Sequence, residues 1–153
     1  MRARFFLVAT LTLALVAASG CGGKSADAKF KDSYQPVRVQ LEKTSKAIGS
    51  AIQHARSQTD AQLLVTFRGL ASRWQDQVSR LQTIKPPSKR AAAFNTITSS
   101  ATRVESDLRA IVAAAATHSA SAARQATASL LTDFLALRSA DRTLARKLGL
   151  KDR

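Results

Sequence analysis

Helix-breaking residues are almost absent from most of this chain. Between Ser33 and Leu148 the sequence contains only three prolines and two glycines, namely Pro36, Pro86, Pro87, Gly49 and Gly69. Strand signals are weak as well, because aromatic residues make up 5% of the chain and no run alternates polar with apolar residues for more than a few positions. These features predict long helices and no sheet.

Apolar residues recur at steps of three and four in four successive segments, which is the spacing of one buried helix face. In chain order the four stripes are Val37, Leu41, Ile48, Ile52 and Ala55; Leu63, Phe67, Leu70, Trp74, Val78, Leu81 and Ile84; Phe94, Ile97, Ala101, Val104, Leu108, Ile111 and Ala115; and Leu130, Phe134, Leu137, Leu144 and Leu148. Leu131 and Leu135 widen the fourth stripe. Asp141 interrupts it, and we expect this carboxylate to pair with an arginine from another helix; the alternative is a functional role.

Local chemistry predicts where each helix begins and ends. Pro36 suits the first turn of helix one, where a missing N–H costs nothing, and residues 57–60 offer capping side chains ahead of helix two. Pro86 and Pro87 end helix two, since neither can donate a backbone hydrogen bond. Residues 117–121 contain Ser and Thr caps between helices three and four, and Gly149 closes helix four.

Short loops between long helices make sequential neighbours antiparallel, so we expect an all-α, up-down-up-down four-helix bundle over residues 33–149. The alternative is a three-helix arrangement in which residues 88–148 form one rod of about 90 Å. Two shorter helices could not cover such a rod. The four-helix arrangement is therefore favoured.

The N-terminus has the layout of a cleaved signal peptide. Arg2 and Arg4 are followed by an apolar run of 14 residues from Phe5 to Ala18 and then by small residues. A membrane-spanning helix needs about 20 apolar residues, so the run is too short to be one. The sequence therefore predicts export of the chain.

The residues Ala17-Ala18-Ser19-Gly20-Cys21 resemble the lipobox of bacterial lipoproteins. The resemblance covers about the first 25 residues, and it departs from the usual pattern at Ala18, where the family most often has leucine. It implies that residues 1–20 are removed and that Cys21 carries a thioether-linked diacylglycerol on the extracytoplasmic side of the cell membrane. The alternative is a secreted protein cut near Ala18 or Gly20, with Cys21 as a free thiol.

The chain after Gly20 has 133 residues, which suits one domain with a single core. Residues 21–32 contain two glycines and one large apolar residue, so we expect a flexible tether between the lipid anchor and the bundle. Residues 150–153 form a basic C-terminal tail. Because Cys21 is the only cysteine, the domain contains no internal disulfide.

The chain is strongly basic, with a formal net charge of +14. In the expected bundle, the tether, the Pro86-Pro87 loop and the end of helix four lie at one end, next to the anchor. We therefore expect this end to bind anionic lipid headgroups or envelope polymers. The alternative is that the cations are simply spread over exposed faces. The candidate surface consists of Lys85, Lys89, Arg90, Arg142, Arg146, Lys147 and Lys151.

Motifs that would carry catalysis or a cofactor are weak. The run from Gly20 to Ser25 ends like a phosphate-binding loop, but it lacks the first glycine and a preceding strand. His54 and His118 have no Cys, Asp or Glu at ligand spacing, so we interpret them as helix-end residues. No Cys-x-x-Cys-His run for haem attachment occurs.

The acidic residues of helix three do not form an acid–base pair, because Glu105 and Asp107 point to different sides of a helix. Arg109 lies four residues from Glu105, and Arg103 lies four residues from Asp107. We therefore expect a solvated face with weak ion pairs within the helix. With no catalytic cluster in the sequence, we expect no enzyme activity and no cofactor.

The sequence thus predicts a lipid-anchored, non-catalytic helical module that acts through interactions or structure, with a partner protein in the envelope as one option. A different hypothesis is a small-ligand binder with an internal apolar cavity lined by Phe67, Trp74, Phe94 and Phe134. Nucleic acid is disfavoured as a partner by export and by the lack of aromatics among the basic residues.

Overall fold

The computed structural model describes residues 25–151. These residues form four long helices and no strand: α1 is Ala26–Gln53, α2 is Asp60–Thr83, α3 is Ser88–Ala116 and α4 is Ala120–Lys147, with one turn of 3₁₀ helix at Ala55–Ser57. The all-helical prediction is confirmed, and the break between α3 and α4 excludes the continuous rod. The predicted signal peptide (1–20), Cys21 and residues 152–153 lie outside the described residues.

The four helices share one apolar core. Phe30 and Tyr34 of α1 meet the ring of Phe94 on α3, with ring centroids 5.3 and 5.9 Å apart. Further along the bundle, Trp74 of α2 meets Phe134 of α4 edge-to-face at 5.5 Å. Each predicted stripe contributes at least one fully buried side chain to this core, and these side chains include Ile48, Trp74, Leu81, Ile97, Leu108, Leu130 and Leu144.

Helix α1 begins seven residues earlier than the sequence predicted. Ser25 is its N-cap and accepts a hydrogen bond from the backbone N–H of Ala28 at 3.2 Å. Residues 26–32, expected to belong to a flexible tether, are therefore helical, and Pro36 lies in the helix interior rather than in its first turn. The physical reason is burial: Phe30 and Tyr34 extend the apolar stripe ahead of the proline.

The predicted cap ahead of α2 is confirmed. Thr59 accepts a hydrogen bond from the N–H of Gln62, and the Gln62 side chain accepts one from the N–H of Thr59 at 2.9 Å. This reciprocal pair satisfies two of the backbone donors that a helix start leaves exposed. Pro86 and Pro87 separate α2 from α3 as expected, with Pro87 as the N-cap of α3.

Two helices end with a residue in the left-handed backbone region. Gly149 follows α4 with φ of 62°, and the next residue, Leu150, donates its N–H to the carbonyl of Ala145 at 2.9 Å. His118 holds the same position after α3 with φ of 50°, and Ser119 donates to Ala114 at 2.9 Å. This hydrogen-bond pattern satisfies the last carbonyls of each helix.

The acidic residues of α3 do not form the solvated face that the sequence predicted. Glu105 is buried, although it does pair with Arg109 as expected. Arg103 binds Asp133 on α4 at 3.1 Å rather than its neighbour Asp107. The reason is the close packing of α3 against α4, which places these charges between two helices.

Candidate functional site

The start of α1, the start of α3 and the end of α4 meet at one end of the structure. Asp27 of α1 lies 3.1 Å from the Lys89 ammonium and 3.0 Å from the Arg90 guanidinium. Lys31 of α1 donates a hydrogen bond to the carbonyl of Gly149 at 3.3 Å. We call this the basic end. It brings the start of α1 together with the two segments that contain the predicted anionic-surface residues.

The seven predicted cations differ in how much of their charge is available. Lys89 and Arg90 share Asp27 as a partner, and their hydrogen bonds, that of Arg90 first, lower the pKa of this carboxyl below its usual value. Their charge is therefore partly balanced within the fold. The remaining five side chains are exposed and form no ion pair within residues 25–151: Lys85, Arg142, Arg146, Lys147 and Lys151.

The C-terminal turn of α4 concentrates positive charge for a local reason. Arg146 and Lys147 occupy the last turn, next to the carbonyls that carry the negative end of the helix dipole. Gly149 then turns the chain back, and the backbone carbonyl of Lys151 accepts a hydrogen bond from Arg38 of α1 at 3.0 Å. The cations of this turn are therefore held against the start of the bundle.

A shallow pocket of about 610 Å³ lies between α1 and the proline loop. Its apolar lining includes Phe30, Ile84 and the two prolines, and its charged lining residues are Lys29, Arg80 and Lys85, with no acid among them. Lys85 was predicted here, whereas Arg80 was missed, because it lies four residues after Asp76 and this spacing is typical of an ion pair within one helix. The signal that could have found it is its position one turn before the proline loop.

Asp141, the flaw in the fourth stripe, pairs with an arginine from another helix as predicted. Both carboxylate oxygens accept from Arg38 Nε, at 2.8 and 2.9 Å, and Oδ1 also accepts from the Tyr34 hydroxyl at 2.6 Å. Burial, followed by the nearby Asp141 carboxylate, raises the pKa of Tyr34 above its usual range. Tyr34 is thus a permanent hydrogen-bond donor that holds α1 to α4.

An apolar groove of about 390 Å³ runs between α1 and α4, beginning beside the Asp141 cluster. Leu131, Phe134 and Leu135 of α4 face Gly49 and Ile52 of α1 across it. This groove is not the predicted internal cavity, because only one of the four residues expected to line that cavity takes part. Phe67, Trp74 and Phe94 are packed inside the core instead.

The two histidines lie at helix ends, as interpreted from the sequence. His54 follows α1, and its Nδ1 lies 2.8 Å from the carbonyl of Ser50. His118 lies in the α3–α4 turn, with its Nδ1 2.6 Å from Asp60 of α2. Among residues 25–151 no three metal-binding side chains come together.

Within residues 25–151, none of the helices contains an apolar stretch that could span a bilayer. No family model matches the chain, and neither a curated protein nor a solved structure shows significant similarity to it.

Proposed function

We propose that the chain is a lipid-anchored, non-catalytic helical module of the cell envelope whose basic end contacts an anionic membrane surface. The observation that carries the proposal is the meeting of three cation-bearing segments at the start of α1. Ser25 at that start is four residues from Cys21, a span of at most about 14 Å in an extended chain. An acyl anchor on Cys21 therefore keeps the basic end close to the lipid headgroups.

The up-down-up-down order of the helices is part of this proposal. Contacts at both ends support it: Asp27 pairs with Lys89 at the basic end, whereas Asp60 pairs with His118 at the other. The predicted signal peptide and the lipobox support export and lipidation. An acyl anchor and a basic patch are two membrane signals that add to each other.

Lipidation of Cys21 is tested by the intact mass of the protein purified from its native host. The proposal expects a chain that begins at Cys21 and carries the mass of a diacylglycerol, and a Cys21→Ser variant that is not released from its signal peptide. A mature chain with an unmodified Cys21 thiol that partitions into the aqueous phase of a detergent extract would falsify the lipid anchor.

The basic end is tested with the chain from Gly22 onward and vesicles of phosphatidylglycerol mixed with phosphatidylcholine. The proposal expects weak binding that fades as salt rises, because exposed charges are screened beyond about 8 to 10 Å at physiological ionic strength. The test variant replaces three exposed cations of α4 by Gln (R142Q/R146Q/K147Q) and should lose affinity by about tenfold or more.

The control variant removes the same charge elsewhere (R56Q/R68Q/R124Q), from exposed arginines on the 3₁₀ turn, on α2 and near the start of α4. It should lose less affinity than the test variant. Equal losses would mean that net charge alone drives binding and that the basic end is not a site. If neither variant binds less than the parent, electrostatic attraction does not explain the membrane contact.

A further inference from the structure

The groove between α1 and α4 is open because these two helices are joined mainly at one end. α4 packs most closely against α3, and α1 packs most closely against α2. Tyr34 and Arg38 hold α1 to Asp141 of α4. Beyond this cluster, the space between the two helices is the groove of about 390 Å³.

The apolar walls of the groove are partly unprotected. Leu131 and Leu135 are 52% and 69% exposed, and they are two of the three large hydrophobic side chains that are exposed within residues 25–151. Both line the groove, one helical turn apart. Exposed apolar side chains that share one concave surface are characteristic of a binding site rather than of an ordinary surface.

One of the charged side chains that line the groove has no ion-pair partner within residues 25–151. Asp141 is paired with Arg38, and Glu42 is paired with Lys46. Arg138 lines the same groove, one turn from Leu135, and no ion-pair partner for it lies within residues 25–151. One exposed cation therefore remains beside an apolar surface, so the groove is complementary to a molecule with an apolar body and one negative charge.

The size of the groove selects among such molecules. Its volume falls within the range of about 300 to 1,000 Å³ that is usual for small-molecule sites. A volume in this range suits a ligand with a single hydrocarbon chain.

We propose that the α1–α4 groove binds a single-chain anionic amphiphile, with its hydrocarbon chain against Leu131, Phe134 and Leu135 and its headgroup beside Arg138. This site is separate from the basic end and does not depend on the proposed membrane contact. Its natural occupant belongs to the chemical class of fatty acids.

Two glycines provide a matched test. Gly49 lines the groove and Gly69 does not, yet both lie in helix interiors, and a Cβ added at either position meets nothing within 4 Å. Gly49→Leu places a side chain in the groove without a clash at its Cβ. Gly69→Leu makes the same chemical change on α2. Because leucine forms helices better than glycine, both variants should fold at least as well as the parent.

The experiment is titration calorimetry of the chain from Gly22 onward with dodecanoate below its micellar concentration. This chain contains all the buried residues of the described core, and circular dichroism checks that each variant is folded. We expect one molecule bound per chain. Gly49→Leu should weaken binding by about tenfold or more because it fills apolar space, and Gly69→Leu should leave binding unchanged.

The headgroup is tested with Arg138→Gln, which should weaken dodecanoate binding by about threefold to tenfold without weakening the binding of dodecanol. Absence of dodecanoate binding, or equal effects of Gly49→Leu and Gly69→Leu, would overturn the site. Equal binding of dodecanol and dodecanoate by the parent would overturn the anionic headgroup.

A second copy of the chain is the competing occupant. Concentration-dependent dimerisation that Gly49→Leu abolishes, seen by sedimentation, would assign the groove to self-association and overturn the amphiphile. The R142Q/R146Q/K147Q variant separates this inference from the proposed function. It should keep the parent's affinity for dodecanoate whether or not it still binds vesicles, and a loss of dodecanoate binding would contradict a separate site.

Discussion

Arg38 of α1 donates a bifurcated hydrogen bond to Asp141 of α4, with both carboxylate oxygens within 2.9 Å of the same guanidinium nitrogen. The arginine side chain is only 8% exposed, and the carboxylate is 22% exposed. A buried guanidinium is costly without a partner, because it has been removed from water. The contact therefore determines how α1 and α4 come together at the polar end of the groove.

Removal of the carboxylate should be more damaging than removal of the whole pair. We expect Asp141→Leu to lower the free energy of unfolding by about 2 to 4 kcal/mol, because Arg38 then remains buried without its partner. A double variant, Arg38→Met with Asp141→Leu, should recover part of that loss. Urea denaturation of both variants measures the difference. A double variant that is no more stable than Asp141→Leu would contradict a penalty from the unpaired Arg38.

Leucines in the middle of the stripes should be the most sensitive to truncation. Leu70 is 6% exposed and Leu108 is fully buried, so Leu→Ala at either position should cost about 2 to 5 kcal/mol through lost apolar burial and a cavity. Gln75→Ala on the exposed face of α2 should change little. The check is the shift in denaturation midpoint, and equal small shifts at all three positions would contradict a single buried core.

Asp107 should make stability depend on pH. Burial, followed by the neighbouring Asp133 carboxylate, raises the pKa of Asp107 to about 6, although Arg103 acts in the opposite direction. Because the folded-state pKa lies above the unfolded value, the native state holds this proton more tightly. The contribution of Asp107 to stability is therefore greatest below about pH 4 and is lost as the pH rises through 6.

Asp107→Asn cannot ionise, so it should stabilise the fold at pH 7 by about 1 kcal/mol, a figure reduced for screening by solvent. The gain should disappear below about pH 4. Thermal denaturation at both pH values measures it, with Asp76→Asn on the exposed face of α2 as the control. A gain that is the same at both pH values would contradict a titrating carboxyl.

Replacing glycine by alanine at Gly149 and at Gly69 should change the free energy of unfolding in opposite directions. Gly149 has a φ of 62°, where a Cβ is strained, so Gly149→Ala should cost about 1 kcal/mol. Gly69 is exposed in the interior of α2, and an added Cβ meets nothing within 4 Å, so Gly69→Ala should stabilise by about 0.5 to 1 kcal/mol. Thermal denaturation measures both, and a shift of the same sign would contradict the turn geometry at Gly149.

Features that depend on one helix at a time were predictable from the sequence. The apolar stripes correctly placed Leu70 and Leu108 in the core, because helical spacing alone decides which side chains share a face. The Thr59 cap and the Gly149 turn followed from local backbone chemistry. The predicted start of α1 was wrong because Pro36 favours the first turn of a helix, whereas burial of Phe30 and Tyr34, whose spacing continues the stripe from Val37, extends the helix ahead of the proline.

Features that depend on the separation between helices were not predictable. The sequence predicted an arginine partner for Asp141 but not that it is Arg38, because the pattern of one helix does not show which side chain of another helix faces it. The groove was missed for the same reason, since its width depends on how far α1 and α4 separate. Its one sequence signal was the widening of the fourth stripe by Leu131 and Leu135, which is more apolar surface than a closed interface needs.

Pro36 has a mechanical consequence for the part of the chain that leads into the bundle. A proline within α1 cannot donate the backbone hydrogen bond that a helix interior normally contains at that position. The turns ahead of it are therefore fastened by side chains, above all by Phe30 and Tyr34 in the core and by Asp27 at Lys89. A force applied at Ser25 is therefore borne first by these contacts, and it reaches the rest of the fold through them.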